Sequence, residues 1–239
     1  MAGQLQGKIA IFTGASNGIG RGIAELFGAE GAKTVLVARR AELLDEVAAG
    51  VKAKGGEALP LPADLTKEDA IIALFKKTVE TFGRLDVLVN NAGIATHKNT
   101  EDVTLDYWNE ALAINITAPF LCAREAVRIM KAQQPQGGRI VNIGSVSAKT
   151  PRPDSLPYTV TKFGLQGMTH LTIIVSVLAG YGLTVILRSN NPKDRMSALG
   201  QKRTSTSAWA MSALPPKADI AESDWDVRFV PKADIAPPH

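Results

Sequence analysis

The sequence predicts a single α/β domain built on a doubly wound parallel sheet. Three observations carry that prediction. Strand-like and helix-like stretches alternate from the first residues to about position 187. The strand-like runs are nearly all apolar, as suits strands covered on both faces. The first of them ends in a glycine-rich turn, Thr13-Gly14-Ala15-Ser16-Asn17-Gly18-Ile19-Gly20, that opens a helix.

In order, Lys8–Phe12 is strand-like, and Ile19–Glu30 has helical spacing ended by Gly31. Lys33–Ala38 is a second strand, followed by a helix over Glu42–Lys54 closed by Gly55-Gly56. Ala58–Ala63 is a third strand. Thr66 is expected to cap a helix to about Phe82, with Gly83 as its stop. Leu85–Val89 is a fourth strand. A long helical segment runs from Thr104 to about Met130, with Pro119 inside it as a kink or the start of a second piece. Arg139–Ile143, a helix from Leu156 to about Leu178 and a strand at Leu183–Leu187 complete the alternation.

Composition bounds the function. With 239 residues, 45% hydrophobic and 21% charged, the chain can bury its own core. Its net charge of +4 divides as +2 before Arg188 and +2 from there on, with no block of basic residues, so no nucleic-acid partner is expected. Cys122 is the sole cysteine, which excludes an internal disulfide and a cysteine zinc cluster. There is no charged start followed by an apolar signal core, and a cytoplasmic location is expected. The uncharged run from Phe163 to Leu187 is interrupted by Gly180-Tyr181-Gly182 and holds Gln166 and His170. It reads as a buried helix and strand, not a membrane span. His97, His170 and His239 lack metal-ligand spacing, so no metal is expected.

The turn after the first strand suits a dinucleotide. Gly14 would make the turn, Gly18 would admit a pyrophosphate, and Gly20 would let helix and strand pack closely. The N–H groups at the helix start, with Ser16, Asn17 and Ile19 around them, would face the phosphates. After the second strand stands Arg39-Arg40 where a ribose-binding carboxylate would stand in a chain selective for NAD(H). Guanidinium groups suit a 2′-phosphate, so NADP(H) is preferred, with NAD(H) possible. Asp64, followed by Leu65, could accept from the adenine amino group or cap the helix near Thr66. Asn90-Asn91-Ala92-Gly93 follows the fourth strand, where asparagines can tie loops together and small residues leave room for the cofactor.

Four further residues suggest proton chemistry. Tyr158 and Lys162 are four apart and share a helix face. A phenol titrates at about 10 in water, and a neighbouring ammonium favours the phenolate. Tyr158 could therefore exchange a proton with an alcohol or carbonyl. Ser145 could hydrogen-bond the same oxygen, Lys162 could also hold the nicotinamide ribose, and Asn115 could open a water path that resupplies the proton. Taken alone, a tyrosine–lysine pair on a helix is usually a surface pair.

Together, Thr13-Gly14-x-x-x-Gly18-x-Gly20, Asp64, Asn90-Asn91-Ala92-Gly93, Asn115, Ser145 and Tyr158-x-x-x-Lys162 resemble the short-chain dehydrogenases/reductases, with the order and spacing of that family's motifs. The resemblance covers about Leu5 to Leu171. It implies a Rossmann-type domain and reversible hydride transfer between NADP(H) and a small-molecule carbonyl or alcohol. It also implies a possible homo-oligomer.

Beyond Leu171 the resemblance fails. Asn191-Pro192-Lys193 stands where the family has Pro-Gly, and its last helices and seventh strand are not recognisable. Met-Ser-Ala-Leu at 196–199 recurs at 211–214, and Pro-Lys-Ala-Asp-Ile-Ala at 216–221 recurs at 231–236. Residues 1–190 are therefore expected to form the oxidoreductase domain, and 191–239 a poorly ordered Pro/Ser/Ala/Lys-rich tail of replaced coding sequence. An inactive cofactor-binding remnant is the alternative, and an interaction protein using the tail is a further one. A serine hydrolase is disfavoured because Ser145 lacks a G-x-S-x-G elbow.

Overall fold

The structure is a computed structural model that describes residues 3–178, 184–189 and 225–226, with side chains to residue 169. The first strand, β1 (Ile9–Thr13), is wholly buried and leads into α1 (Gly18–Ala29). There follow β2 (Lys33–Ala38), α2 (Ala41–Ala53), β3 (Glu57–Pro62), α3 (Glu68–Phe82) and β4 (Val87–Asn90). Next come α4 (Leu105–Leu112), a π-turn at Ala113–Thr117 and α5 (Ala118–Ala132). β5 (Arg139–Ile143), α6 (Leu156–Leu178), β6 (Thr184–Ser189) and β7 (Trp225–Asp226) complete the order.

The strands form one sheet in the order β3-β2-β1-β4-β5-β6-β7, parallel from β3 through β6. The order reverses direction between β1 and β4, the switch point at which such sheets bind ligands. Alternate residues of each strand feed opposite layers. Ile9, Ile11, Val35 and Val37 pack with Ile71, Leu74 and Phe75 of α3 and with Leu121 and Ala126 of α5. Ala10, Phe12 and Leu36 pack with Ala24 of α1 and with Leu44 and Val47 of α2. Cys122 lies in the α5 layer, where burial pushes its thiol up to about 12, so it is an inert core residue.

Two of the expected boundaries need correction. Thr66 does not cap α3: the helix starts at Glu68 after Lys67, and the Thr66 hydroxyl donates to the Asp64 carboxylate at 2.8 Å. The local side-chain turn outcompetes helix capping here. The helical segment expected from Thr104 to Met130 is interrupted near Pro119, as expected, but it is three pieces, entered through a Thr104 cap whose hydroxyl oxygen accepts from the Tyr107 N–H. Pro119 has no N–H to give the Asn115 carbonyl four residues earlier, so an α-ladder cannot continue through this point. The chain widens instead, and the Ala118 N–H reaches the Ala113 carbonyl. Gly83 ends α3 in the left-handed conformation at φ 79°, as expected.

The sheet's outer strand is protected by its own sequence. The Ala63 N–H donates to the Ala38 carbonyl, so odd-numbered residues of β3 point toward β2 and even-numbered ones toward the open edge. Pro60 and Pro62 thus remove donors from that edge, which discourages pairing with another chain. At the other side β7, a strand the sequence did not signal, pairs antiparallel with Arg188 and Ser189 of β6. The rest of the 191–239 tail, its repeats, the 180–182 break and the side chains of His170 and His239 lie outside the described residues. Among the described residues, no helix is long and apolar enough to cross a membrane, and no metal-binding cluster occurs.

The start of β1 depends on a buried carboxylate. Asp86 accepts the Ile9 N–H at 3.0 Å and two donors of Arg84 at 3.1 and 2.8 Å. Asp86→Ala leaves a buried N–H unpaired and is expected to lower unfolding free energy by about 2 kcal/mol. Urea denaturation measures this, with Asp86→Asn expected to lose less because an acceptor remains.

Candidate active site

The glycine turn folds as a cradle because the chain cannot tolerate side chains there. Gly14 has φ 66°, and a Cβ on it would lie 2.9 Å from both the Ala92 Cα and the Asn91 Nδ2. A Cβ on Gly20 would collide with the Gly14 carbonyl and the Asn91 amide. Gly20 was expected to serve helix–strand packing; the close contact is instead with the turn itself and with Asn91. Gly18, at φ 54°, is exposed with nothing within 4 Å of a built Cβ. Asn17 occupies the N-cap of α1 but makes no side-chain cap bond, so its side chain ties up none of the helix's first N–H groups. Ser16 is half-buried, and Ile19 is exposed beside the turn.

Asn91 joins this turn to the end of β4. Its Nδ2 donates to the carbonyls of Thr13 and Gly14, each at 3.1 Å. The Thr13 hydroxyl answers by accepting the N–H groups of Asn91 and Ala92, each at 3.0 Å. Asn90 turns inward: its Nδ2 donates to Asn142 on β5 at 2.9 Å, and Asn142 donates to Thr169 on α6 at 2.9 Å. Thr13 entered the sequence reading only as the first residue of the glycine-turn motif, with no role of its own, and Asn142 was not singled out; its one signal is a polar residue near the end of an apolar strand.

At the far side of the turn, Arg39 and Arg40 are exposed at the end of β2. The Thr66 N–H, and then its hydroxyl, hold the Asp64 carboxyl below the usual carboxylate range, with smaller help from the charges of Lys67 and Arg39. Asp64 therefore shapes its own loop, and the helix cap falls to Lys67. The Leu65 side chain belongs to the core, so only its backbone is left for a ligand.

Asn115, Ser145, Tyr158 and Lys162 come together at the ends of β4 and β5. Asn115 sits in the π-turn with its side chain fully engaged. Its Oδ1 accepts the Ile94 N–H at 2.8 Å, and its Nδ2 donates to the Ile94 carbonyl at 2.9 Å and to the Thr161 hydroxyl at 3.1 Å. It clasps the loop after Gly93, whose added Cβ would stand 3.2 Å from the Asn115 Oδ1. Ser145 caps a short 3-10 turn by accepting the Ser147 N–H at 3.1 Å, which leaves its own O–H to donate. Tyr158 is half-buried, with the Lys162 Nζ 5.5 Å from its ring centroid. Lys162 donates to the Ile143 carbonyl at 2.8 Å and borders a small polar cavity with Asn142, Ser145, Gln166 and Thr169. Burial alone brings its ammonium down from 10.5 to about 8. A buried amine beside a phenol, held by the last carbonyl of a strand, is an arrangement suited to proton transfer.

The family model for short chain dehydrogenase matches residues 8–187. An uncharacterized oxidoreductase of Thermotoga maritima is 39% identical over 180 residues, 75% of this chain and 69% of that protein. A 3-oxoacyl-[acyl-carrier-protein] reductase of Synechocystis is 36% identical over 182 residues, 76% of this chain and 72% of that protein. Among solved structures, a metagenomic short-chain oxidoreductase in complex with NADP superposes with a TM-score of 0.74 at 35% identity, covering 78% of this chain and 84% of that one.

The buried amine has a thermodynamic consequence. The unfolded chain holds the Lys162 proton up to pH 10.5 while the folded chain releases it near 8, so this group makes stability rise with pH between those values. Near neutral pH, Lys162→Met is expected to stabilise the protein by roughly 2 kcal/mol, after about 1 kcal/mol is allowed for the Ile143 carbonyl left without a donor. Urea denaturation across the alkaline range should show that gain vanish as pH reaches the ordinary lysine value.

Proposed function

This chain belongs to the short-chain dehydrogenase family of NAD(P)-dependent oxidoreductases, and we propose that it transfers a hydride between NADP(H) and a small-molecule carbonyl or alcohol. The cradle supports a dinucleotide: Gly14 and Gly20 have no room for a Cβ, Gly18 opens to solvent, and no side chain caps α1. Gly14, Ser16, Asn17, Gly18, Ile19 and Gly20 would hold its phosphates, and Arg39 its 2′-phosphate. Asp64 and Leu65 would meet the adenine, and Asn91, Ala92, Gly93, Tyr158 and Lys162 the nicotinamide half. Bound there, the cofactor supplies or accepts the hydride.

The chain's own part is to manage one oxygen and one proton. Ser145 donates a hydrogen bond to the substrate oxygen. Tyr158 gives that oxygen a proton during reduction and takes it back during oxidation. The Lys162 ammonium favours the phenolate that remains. Asn115 keeps the Ile94 loop in register with the catalytic helix, and its part in resupplying the proton falls to its backbone, since the side chain is spent. The observation that carries this reading is the buried Lys162 amine against the Tyr158 ring at the carboxyl end of β5.

The preference for NADP(H) rests on Arg39 and Arg40 and on the absence of a carboxylate at the end of β2. Phe120 on α5 and Phe163 on α6, about half exposed at 51% and 47%, support a homo-oligomer. A cytoplasmic location remains part of the proposal, as does a catalytic unit ending near residue 190 with 191–239 as an appended tail; the family match stops at Leu187.

NADPH oxidation against a panel of aldehydes and ketones tests the reading. Tyr158→Phe should lower kcat by about a hundredfold or more, a far larger effect than on NADPH affinity. Arg39→Ala should weaken NADPH by about tenfold and leave NADH unaffected. Wild-type turnover retained in the phenylalanine variant would overturn the role of Tyr158. NADPH binding with no turnover on any carbonyl would favour the inactive remnant.

A further inference from the structure

We propose that Thr161 is a positioning residue, whose hydroxyl ties Asn115 to the backbone of Tyr158 and so sets where the phenol stands. The proposal rests on the hydride-transfer reading. Thr161 lies immediately before Lys162 and is fully buried. Its hydroxyl donates to the Tyr158 carbonyl at 2.7 Å and accepts from the Asn115 Nδ2 at 3.1 Å. The first bond alone is ordinary for a threonine in a helix. The second is not, because it reaches a different element 46 residues away.

The two bonds extend a longer chain. Ile94 and Asn115 exchange two hydrogen bonds, Asn115 donates to Thr161, and Thr161 donates to the carbonyl of the residue that carries the phenol. The loop after β4 is thereby coupled to α6 through the π-turn. There is little slack in that coupling, since the Ile116 side chain stands 3.0 Å from where a Cβ on Gly164 would be. Removing the hydroxyl leaves a buried Asn115 N–H facing a methyl group, which costs free energy unless Asn115 moves to a new partner. Movement there displaces Ile94 on one side and the first turns of α6 on the other. Small displacements of an acid/base group cost rate, not affinity.

The test compares Thr161→Val, which keeps the shape and loses the hydroxyl, with Thr161→Ser, which keeps the hydroxyl. Two quantities are read: steady-state kinetics on the best carbonyl of the panel, and the NMR chemical shifts of ring-labelled Tyr158, which report where the ring stands. The valine variant should lose about tenfold or more in kcat with the KM for NADPH within about twofold. Its Tyr158 ring resonances should move from their wild-type positions as the ring shifts against its neighbours. The serine variant should restore both. Unmoved Tyr158 resonances and wild-type kcat in the valine variant would overturn the proposal. So would a serine variant that fails as the valine one does, since that would assign the effect to packing. If the wild type turns over no carbonyl, the hydride reading fails and the Tyr158 resonances alone decide the role of Thr161. Should the valine variant not fold, Thr161→Ala against Thr161→Ser takes its place with the same outcomes.

Discussion

Two hydrogen bonds from one asparagine hold the two halves of this sheet in working register. At the switch point the strands β1 and β4 run side by side, but the chains leaving them diverge to opposite layers. That divergence strands the carbonyls of Thr13 and Gly14, which a continuing ladder would otherwise have paired. The Asn91 amide takes both, and the Thr13 hydroxyl takes the two N–H groups on the other side. The glycine requirement follows from that clamp, because Asn91 and the Gly14 carbonyl occupy the space a side chain at position 14 or 20 would need. The two loops are thereby held together at the switch point, the place where such sheets bind dinucleotides.

The polar interior continues this logic at some cost. Asn90, Asn142 and Thr169 run from β4 to α6 beneath the site, in a layer otherwise apolar. Asn115 holds the neighbouring loop, and Lys162 is buried with a carbonyl and an aromatic ring for company, with no carboxylate shifting its titration. An ammonium in such a place weakens the fold near neutral pH. It also keeps the amine able to release a proton near pH 8, where general acid–base chemistry is efficient. Stability and chemistry are opposed at this one side chain, and the surrounding apolar layers offset the loss.

Most of the fold was legible because it depends on local pattern. Apolar runs gave six parallel strands, Gly31 and Gly83 marked helix ends, and Arg139–Ile143 and Lys33–Ala38 stand as expected. What the pattern could not supply was partnership over long separations. Asp86 meets Ile9 across 77 residues and Asn115 meets Thr161 across 46, and neither pairing leaves a periodic trace. Pro119 was recognised as an interruption, yet the π-turn it produces follows only when the lost donor to the Asn115 carbonyl is traced. The error at Thr66 has a similar origin: a hydroxyl near a helix start can bind a neighbouring carboxylate as readily as it can cap. Among the candidate site residues, Asn115, Ser145, Tyr158 and Lys162 converge, while the Leu65 side chain goes to the core and the Asp64 carboxylate is spent on its own loop.

The central claim is that a dinucleotide lies across the carboxyl ends of β1, β4 and β5, in the space the Asn91 clamp keeps open. Hydrogen–deuterium exchange with and without NADPH tests it most directly. The account predicts slowed exchange confined to the turn at 14–20, the segment at 90–94 and the start of α6, with α3 and the β3 edge unchanged. Slowed exchange at other segments with those three unaffected would contradict it, as would no change at saturating NADPH.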